Sequence, residues 1–220
     1  MARQQERARR TRAAIIRSAA VEFGKSGYAA ASLNRILDGS NTTKGAMYFH
    51  FDSKEDLARA VMETAVEGYN ETVDRWTART ELHPFELLHG IVDEMALRYQ
   101  HDVVAQAEFR LLIEPDFYAE VQLGSGTIWT KAAHRQARRA GELGHLRADV
   151  PPDKFVRTLT ALFFGLRYVA DLLSQRAELR AQFNEGYETL LEGMAVSAWL
   201  REFHATGWTT EASLDELQLG

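Results

Sequence analysis

Apolar positions recur every three or four residues along most of this chain, and no stretch alternates convincingly, so the pattern predicts helices throughout. Ile15, Ile16, Ala19, Ala20 and Phe23 stripe a first helix, which Gly24 and Gly27 are expected to end. Leu33, Ile36 and Leu37 stripe a short second helix that Ser32 can cap. Gly39-Ser40-Asn41 breaks it, since Gly and Asn tolerate the left-handed backbone of a sharp turn. Thr43 then restarts the chain as a helix of about two turns. Beyond Phe51, Ser53 with Asp56 three residues on approximates a capping box. It opens a long helix on which Leu57, Val61, Ala65 and Tyr69 recur every four residues. Pro84 suits the first turn of the next helix, striped by Phe85, Leu88, Val92, Met95, Ala96 and Tyr99. Further helices are expected over 103–113, 116–123, 126–141, 152–173 and 179–204, with breaks at Gly141, Gly144 and Pro151-Pro152. The fold class is all-α, with about nine helices.

Two short helices joined by a tight turn, over residues 32–50, read as a helix-turn-helix, whose second member is pushed outward where it can enter a major groove. This divides the chain into a three-helix DNA-binding head over 1–52 and a helical body over 53–220. Within the head, Met47, Phe49 and Phe51 are expected in the core.

Thr43-Lys44-Gly45-Ala46-Met47-Tyr48-Phe49-His50-Phe51, followed by Ser53-Lys54-Glu55-Asp56-Leu57, resembles the recognition helix and following helix start of TetR-family transcriptional repressors. The resemblance extends upstream through Arg10-Thr11-Arg12, Ala19-Ala20, Phe23, Gly27 and Tyr28. It departs in the turn, where Ser40-Asn41-Thr42 replaces the family's usual Ala-Gly-Val and sets the Thr42 hydroxyl where a small apolar residue packs. The resemblance implies that Thr43, Lys44, Gly45 and Ala46 meet bases and sugar–phosphate, that Tyr48 and His50 contact the backbone, and that Lys54 grips a further phosphate. The Arg-rich tail before Thr11 is expected to reach the minor groove. The implied partners are a pseudo-palindromic operator duplex, a second copy of the chain and a small-molecule effector, with residues 53–220 as the ligand-binding and dimerisation domain.

Charge sharpens this picture. The whole chain carries −5, yet residues 1–60 hold 11 Lys and Arg against 6 Asp and Glu, and the remainder 15 against 25. A basic head on an acidic body confines phosphate affinity to one end. Cysteine is absent, which removes disulfides, thiolate metal sites and cysteine nucleophiles. No apolar run approaches the roughly 18 residues of a membrane span, and Arg3, Arg7, Arg9 and Arg10 open the chain with no signal-peptide core behind them. A cytoplasmic protein with no membrane partner is expected.

In the body, three fragments resemble the γ-butyrolactone-type autoregulator receptors of actinobacteria: Asp102 to Ala107 continuing to Arg110-Leu111, Trp129 with Ala137 and Gly141-Glu142-Leu143, and Phe164-Gly165 with Val169. That resemblance implies that Trp129 lies against a lactone- or furan-like signal, and Phe109, Phe163 and Tyr168 are the other candidate ligand contacts. Leu159, Leu162, Phe163 and Leu166, with Leu190, Leu191, Met194, Trp199 and Leu200, suit a dimer interface of two C-terminal helices. The alternatives are a repressor sensing an unrelated drug or metabolite and a helical enzyme with a fortuitous helix-turn-helix. The second lacks support: none of the seven His has metal-ligand spacing, no Gly-x-Ser-x-Gly elbow occurs, and His101-Asp102 reads as a helix boundary. No catalytic residue, cofactor or metal is called for.

Overall fold

The computed structural model describes residues 2–117 and 127–217. Its ten described α-helices are α1 (Ala2–Ala30), α2 (Leu33–Ser40), α3 (Lys44–His50), α4 (Lys54–Thr77), α5 (Pro84–His101), α6 (Val103–Leu112), α7 (Thr127–Glu142), α8 (Pro152–Leu172), α9 (Leu179–Met194) and α10 (Ser197–Thr206). Most of the helix expected over 116–123 lies outside the described residues, as does Gly124-Ser125-Gly126; Pro115–Phe117 forms one 3₁₀ turn. Packing gathers the described residues into two compact units, 2–68 with 101–117 and 69–100 with 127–217.

In the first unit, the apolar stripe of α1 closes over Ile36 of α2, Met47 of α3, and Leu57, Ala58 and Val61 of α4, all fully buried. Contrary to expectation, Gly24 does not end α1; it lies inside the helix against Ala107 of α6. The kink falls at Gly27, whose φ of 72° disfavours any side chain, and the Tyr28 N–H donates to Glu114 Oε1 at 2.9 Å. The Arg-rich start is likewise not an extended tail: Arg3, Arg7, Arg9 and Arg10 stand exposed on the first turns of α1. Asp102 caps α6, accepting from the Val104 N–H at 2.8 Å, which makes His101-Asp102 the helix boundary its composition suggests.

One buried carboxylate joins α1 to α2. Glu22 accepts from Nε and Nη2 of Arg35, at 2.6–2.9 Å, and from the Ser32 N–H at 2.9 Å. Ser18 adds a hydrogen bond to the Ile36 carbonyl at 2.8 Å.

The second unit is built around α5, which is buried on nearly every face. Phe155, Leu159 and Phe163 of α8, Phe183, Tyr187 and Leu191 of α9, and Trp199 of α10 complete its core. The single helix expected over 179–204 is two. His145-Leu146-Arg147 crosses there as an extended segment: Leu146 bridges Ala195, the Arg147 N–H donates to the Met194 carbonyl at 3.0 Å, and the Val196 N–H to the His145 carbonyl at 2.9 Å. Those bonds take up the Val196 N–H and the Met194 carbonyl in place of helical partners, while the Ala195 N–H still donates to the Leu191 carbonyl, in a stretch with no proline to announce the break.

The Arg35 hydrogen bonds, with the Ser32 amide assisting against burial, hold the Glu22 carboxyl down at about 2. A depressed carboxyl pKa stabilises the fold above its unfolded value and loses that contribution as pH falls through the folded one. The head should therefore weaken between about pH 4.5 and 2, and Glu22→Gln should cost about 1–2 kcal/mol at neutral pH while flattening that acid limb. Circular-dichroism melts against pH check both, and an unaltered acid limb in Glu22→Gln would refute the assignment.

Candidate nucleic-acid interface

The turn and α3 are set by local side-chain chemistry. Ser32 caps α2, and α2 closes on Asn41, left-handed at φ 51°. Gly39 is helical, and a Cβ there would come 2.5 Å from Ser18 Oγ, so its smallness serves the approach of α1 to α2. The Thr42 hydroxyl does not stay unsatisfied in the turn, because it pairs with Ser40 Oγ at 2.6 Å. Thr43 caps α3, its hydroxyl accepting from the Ala46 N–H at 3.1 Å.

On α3, Met47 is fully buried and Phe51, just past the helix end, nearly so, while Thr43, Lys44, Gly45 and Tyr48 are exposed. Nothing approaches within 4 Å of where a Gly45 Cβ would sit, so the backbone there is open to an incoming partner. Lys44 lies over the Tyr48 ring at 5.9 Å. His50 is half-exposed between Phe49 and Phe51. Phe49 overturns its expected core position: it is 80% exposed, the most exposed large apolar side chain among the described residues. Helical phase explains this, since Met47 and Phe51, four apart, share the inner face and Phe49, between them, points the other way.

Lys54 is half-buried at the start of α4. Its ammonium donates to the Ala29 carbonyl at 3.3 Å and sits 4.8 Å over the Tyr28 ring, and burial lowers its pKa. It braces the end of α1 while keeping further N–H donors. Arg12 lies over the Phe51 ring at 5.2 Å. The assembled surface is a short helix with a lysine, an open glycine and two aromatic faces outward, on a unit whose first helix displays a row of arginines. Cations of this kind neutralise phosphates, and side chains on a protruding helix reach base edges.

A sequence profile of bacterial regulatory proteins of the tetR family matches residues 15–61, the span from the stripe of α1 to the first turns of α4. The A-factor receptor protein of Streptomyces griseus is 31% identical over 191 residues, covering 87% of this chain and 66% of that protein. This chain belongs to the TetR family. It thus spans just under two thirds of that receptor's length. Among solved structures, the TetR family protein CprB of S. coelicolor is similar with a TM-score of 0.76 at 28% identity, covering 87% of this chain and 92% of that one. An ArpA-like γ-butyrolactone receptor gives 0.71 at 26% identity, with 90% and 95% covered.

The candidate ligand residues of this TetR-family chain are not all brought together. Trp129 and Phe163 meet edge to face at 6.5 Å, and the Trp129 indole N–H donates to Thr160 Oγ1 at 3.4 Å. Phe163 continues into Phe183 at 4.7 Å. Phe109 is fully buried on α6 in the first unit, and Tyr168 is exposed on α8 in the second. The residues expected at a dimer interface also shift. Leu159, Phe163, Leu190, Leu191 and Trp199 are buried within their own unit, and Leu162 packs on Gly186. The outward apolar stripe of α8 is instead Phe164, Tyr168 and Leu172, at helical spacing.

Lys44→Ala and Tyr48→Ala should each weaken binding to a selected duplex by about 1–3 kcal/mol, the worth of a single good contact. Phe49→Ala should leave the melting temperature nearly unchanged, whereas Met47→Ala should cost about 2–5 kcal/mol of stability. Paired binding and melting curves check this, and a destabilised Phe49→Ala would return that ring to the core.

Proposed function

We propose that this protein is a ligand-responsive transcriptional repressor. It binds a pseudo-palindromic operator as a homodimer through the head, residues 1–52, and releases it when a γ-butyrolactone- or furan-like signal enters the helical body, residues 53–220. The observation that carries the reading is α3, anchored by Met47 while Lys44, Gly45, Tyr48 and Phe49 face outward. Similarity to a receptor for A-factor and to a γ-butyrolactone receptor supports the effector class. Thr43, Ala46, His50 and Lys54 complete the assigned DNA contacts, and Trp129 with Phe163 the ligand contacts.

A symmetric dimer presents two recognition helices to successive major grooves. The exposed Phe164, Tyr168 and Leu172 stripe suits the self-complementary face such a dimer needs. Release requires only that the ligand favour a state in which the two α3 helices are wrongly spaced. Such a protein works in the cytoplasm, and no described helix is long and apolar enough to cross a membrane. Catalysis forms no part of the reading, and among the described residues no group of three or more His, Asp or Glu side chains could hold a metal.

An operator selected from random duplexes should be released when an alkyl γ-butyrolactone such as γ-decalactone is added, as read by fluorescence anisotropy. Trp129→Ala should fold and bind the operator yet lose most of that response, because a ligand without differential affinity shifts no population. Release by an unrelated drug or metabolite but by no lactone would move the protein to another effector class. An unchanged lactone response in a stable Trp129→Ala protein would remove the indole from the site.

A further inference from the structure

The buried helix α5 carries a guanidinium whose hydrogen bonding the fold leaves incomplete. Glu94 and Arg98 are one turn apart on it, with 0% and 2% of their surface exposed. Glu94 is already filled by donors. Oε1 accepts from Thr72 Oγ1 at 2.6 Å and from the Arg75 guanidinium, and Oε2 from the Trp76 indole N–H at 2.8 Å. Arg98 Nε donates to Thr72 Oγ1 at 2.9 Å and comes no closer than 3.6 Å to the carboxylate. One carboxylate thus serves two guanidiniums, that of Arg75 at the edge of the unit and that of Arg98 fully inside it, and Arg98 takes the longer contact.

Two donors of this cluster are buried with no hydrogen-bond partner among the described residues: Arg98 Nη2 and Arg75 Nε. A lysine or histidine in such a place could shed its proton; a guanidinium cannot, so it requires an acceptor. The group that matches a guanidinium edge in geometry and charge is a carboxylate.

The surroundings supply the rest of a ligand site. Trp76, hydrogen-bonded to Glu94, lies so close to Gly90 that a Cβ there would fall 2.3 Å from its ring. The same indole belongs to an apolar cluster with Ile91 and Ala132, against which Trp129 packs. The inner face of α7 continues from Trp129 through Ala132, Ala133, Ala137 and Ala140, all small and buried. Among them stands Gln136, 4% exposed, whose Oε1 is also buried with no partner among the described residues. An anion-seeking guanidinium, a wall with two indoles and an acceptor awaiting a donor define a ligand with one carboxylate, an apolar ring or chain, and a hydroxyl.

We propose that the second unit binds a small hydroxylated organic carboxylate, its carboxylate on Arg98 and its apolar part against Trp76 and Trp129. This rests on reading the second unit as the effector-binding body. It also disfavours a cationic drug, despite the acidic surface, because a cation would meet the unpaired edge of a like-charged guanidinium.

The test uses the full-length protein with 4-hydroxydecanoate, decanoate, methyl decanoate and γ-decalactone, followed by calorimetry and tryptophan emission. The two carboxylates should bind at least tenfold more tightly than the methyl ester, the hydroxylated one more tightly than decanoate. Arg98→Lys, which keeps the charge and loses the fork, should cut the preference over the ester below threefold. Equal affinity for acid and ester in the unmodified protein, no binding of either carboxylate, or an undiminished preference in folded Arg98→Lys each overturns the proposal. If Arg98→Lys does not fold, the ligand series on the unmodified protein decides alone. Operator release by the lactone without carboxylate binding would remove the anion site and keep the effector reading. Carboxylate binding without operator release would do the reverse.

Discussion

A helix buried on nearly every face must find a partner for each polar atom it carries, and α5 carries His89, Asp93, Glu94 and Arg98. Much of the second unit is arranged to meet that demand. Arg180 of α9 grips Asp93 with two hydrogen bonds at 2.6 and 2.7 Å, and the Ala212 N–H adds a third at 2.8 Å. Arg180 also donates to the Ala212 carbonyl at 2.9 Å, so one ion pair fastens both α9 and the last described segment to the central helix. Trp208 stacks on His89 with ring centres 4.0 Å apart and donates to Glu188 at 2.9 Å, while Thr210 Oγ1 hydrogen-bonds Nδ1 of the same imidazole at 3.1 Å. Removing Arg180 would leave Asp93 charged and unpaired in the interior, a loss larger than the net worth of the intact pair.

The first unit solves a different problem, holding a short helix firmly while leaving one face bare. Seven residues cannot form a stable helix in water alone, so α3 depends on its Thr43 cap and on Met47 in the core. Glu22, Arg35 and Ser32 fix α2 to α1, and Ser18 fixes them again through the Ile36 carbonyl. With those restraints in place Lys44, Tyr48 and Phe49 can stay outside without cost to the fold, and their exposure is available for contact with another molecule.

The helix-turn-helix was legible because its determinants are local: Ser32, Asn41 and Thr43 act on backbone atoms within three residues of themselves. Phe49 was misassigned because its apolar character was weighed without its phase, although Met47 and Phe51 already mark the inner face. The break at 195–196 was not legible, since it is made by residues 145–147, about fifty positions away. The same holds for the charges of α5. Asp93 finds Arg180 at a separation of 87 residues, and Glu94 finds Trp76 at 18, so in sequence they resemble an ordinary solvated face. For the ligand candidates, helical spacing located aromatic positions but could not sort Trp129 and Phe163, which meet, from Tyr168, which faces solvent.

The proposed function requires that α3 read DNA and that a symmetric dimer deliver it twice. Hydroxyl-radical footprinting on a selected operator, across a salt series, tests it most directly. The account predicts two protected patches on one face of the duplex with centres about 34–36 Å apart, or a multiple of that spacing. The affinity should fall with salt at a log–log slope of about 0.9 per phosphate contacted. A single undivided patch, or binding indifferent to salt, would contradict it.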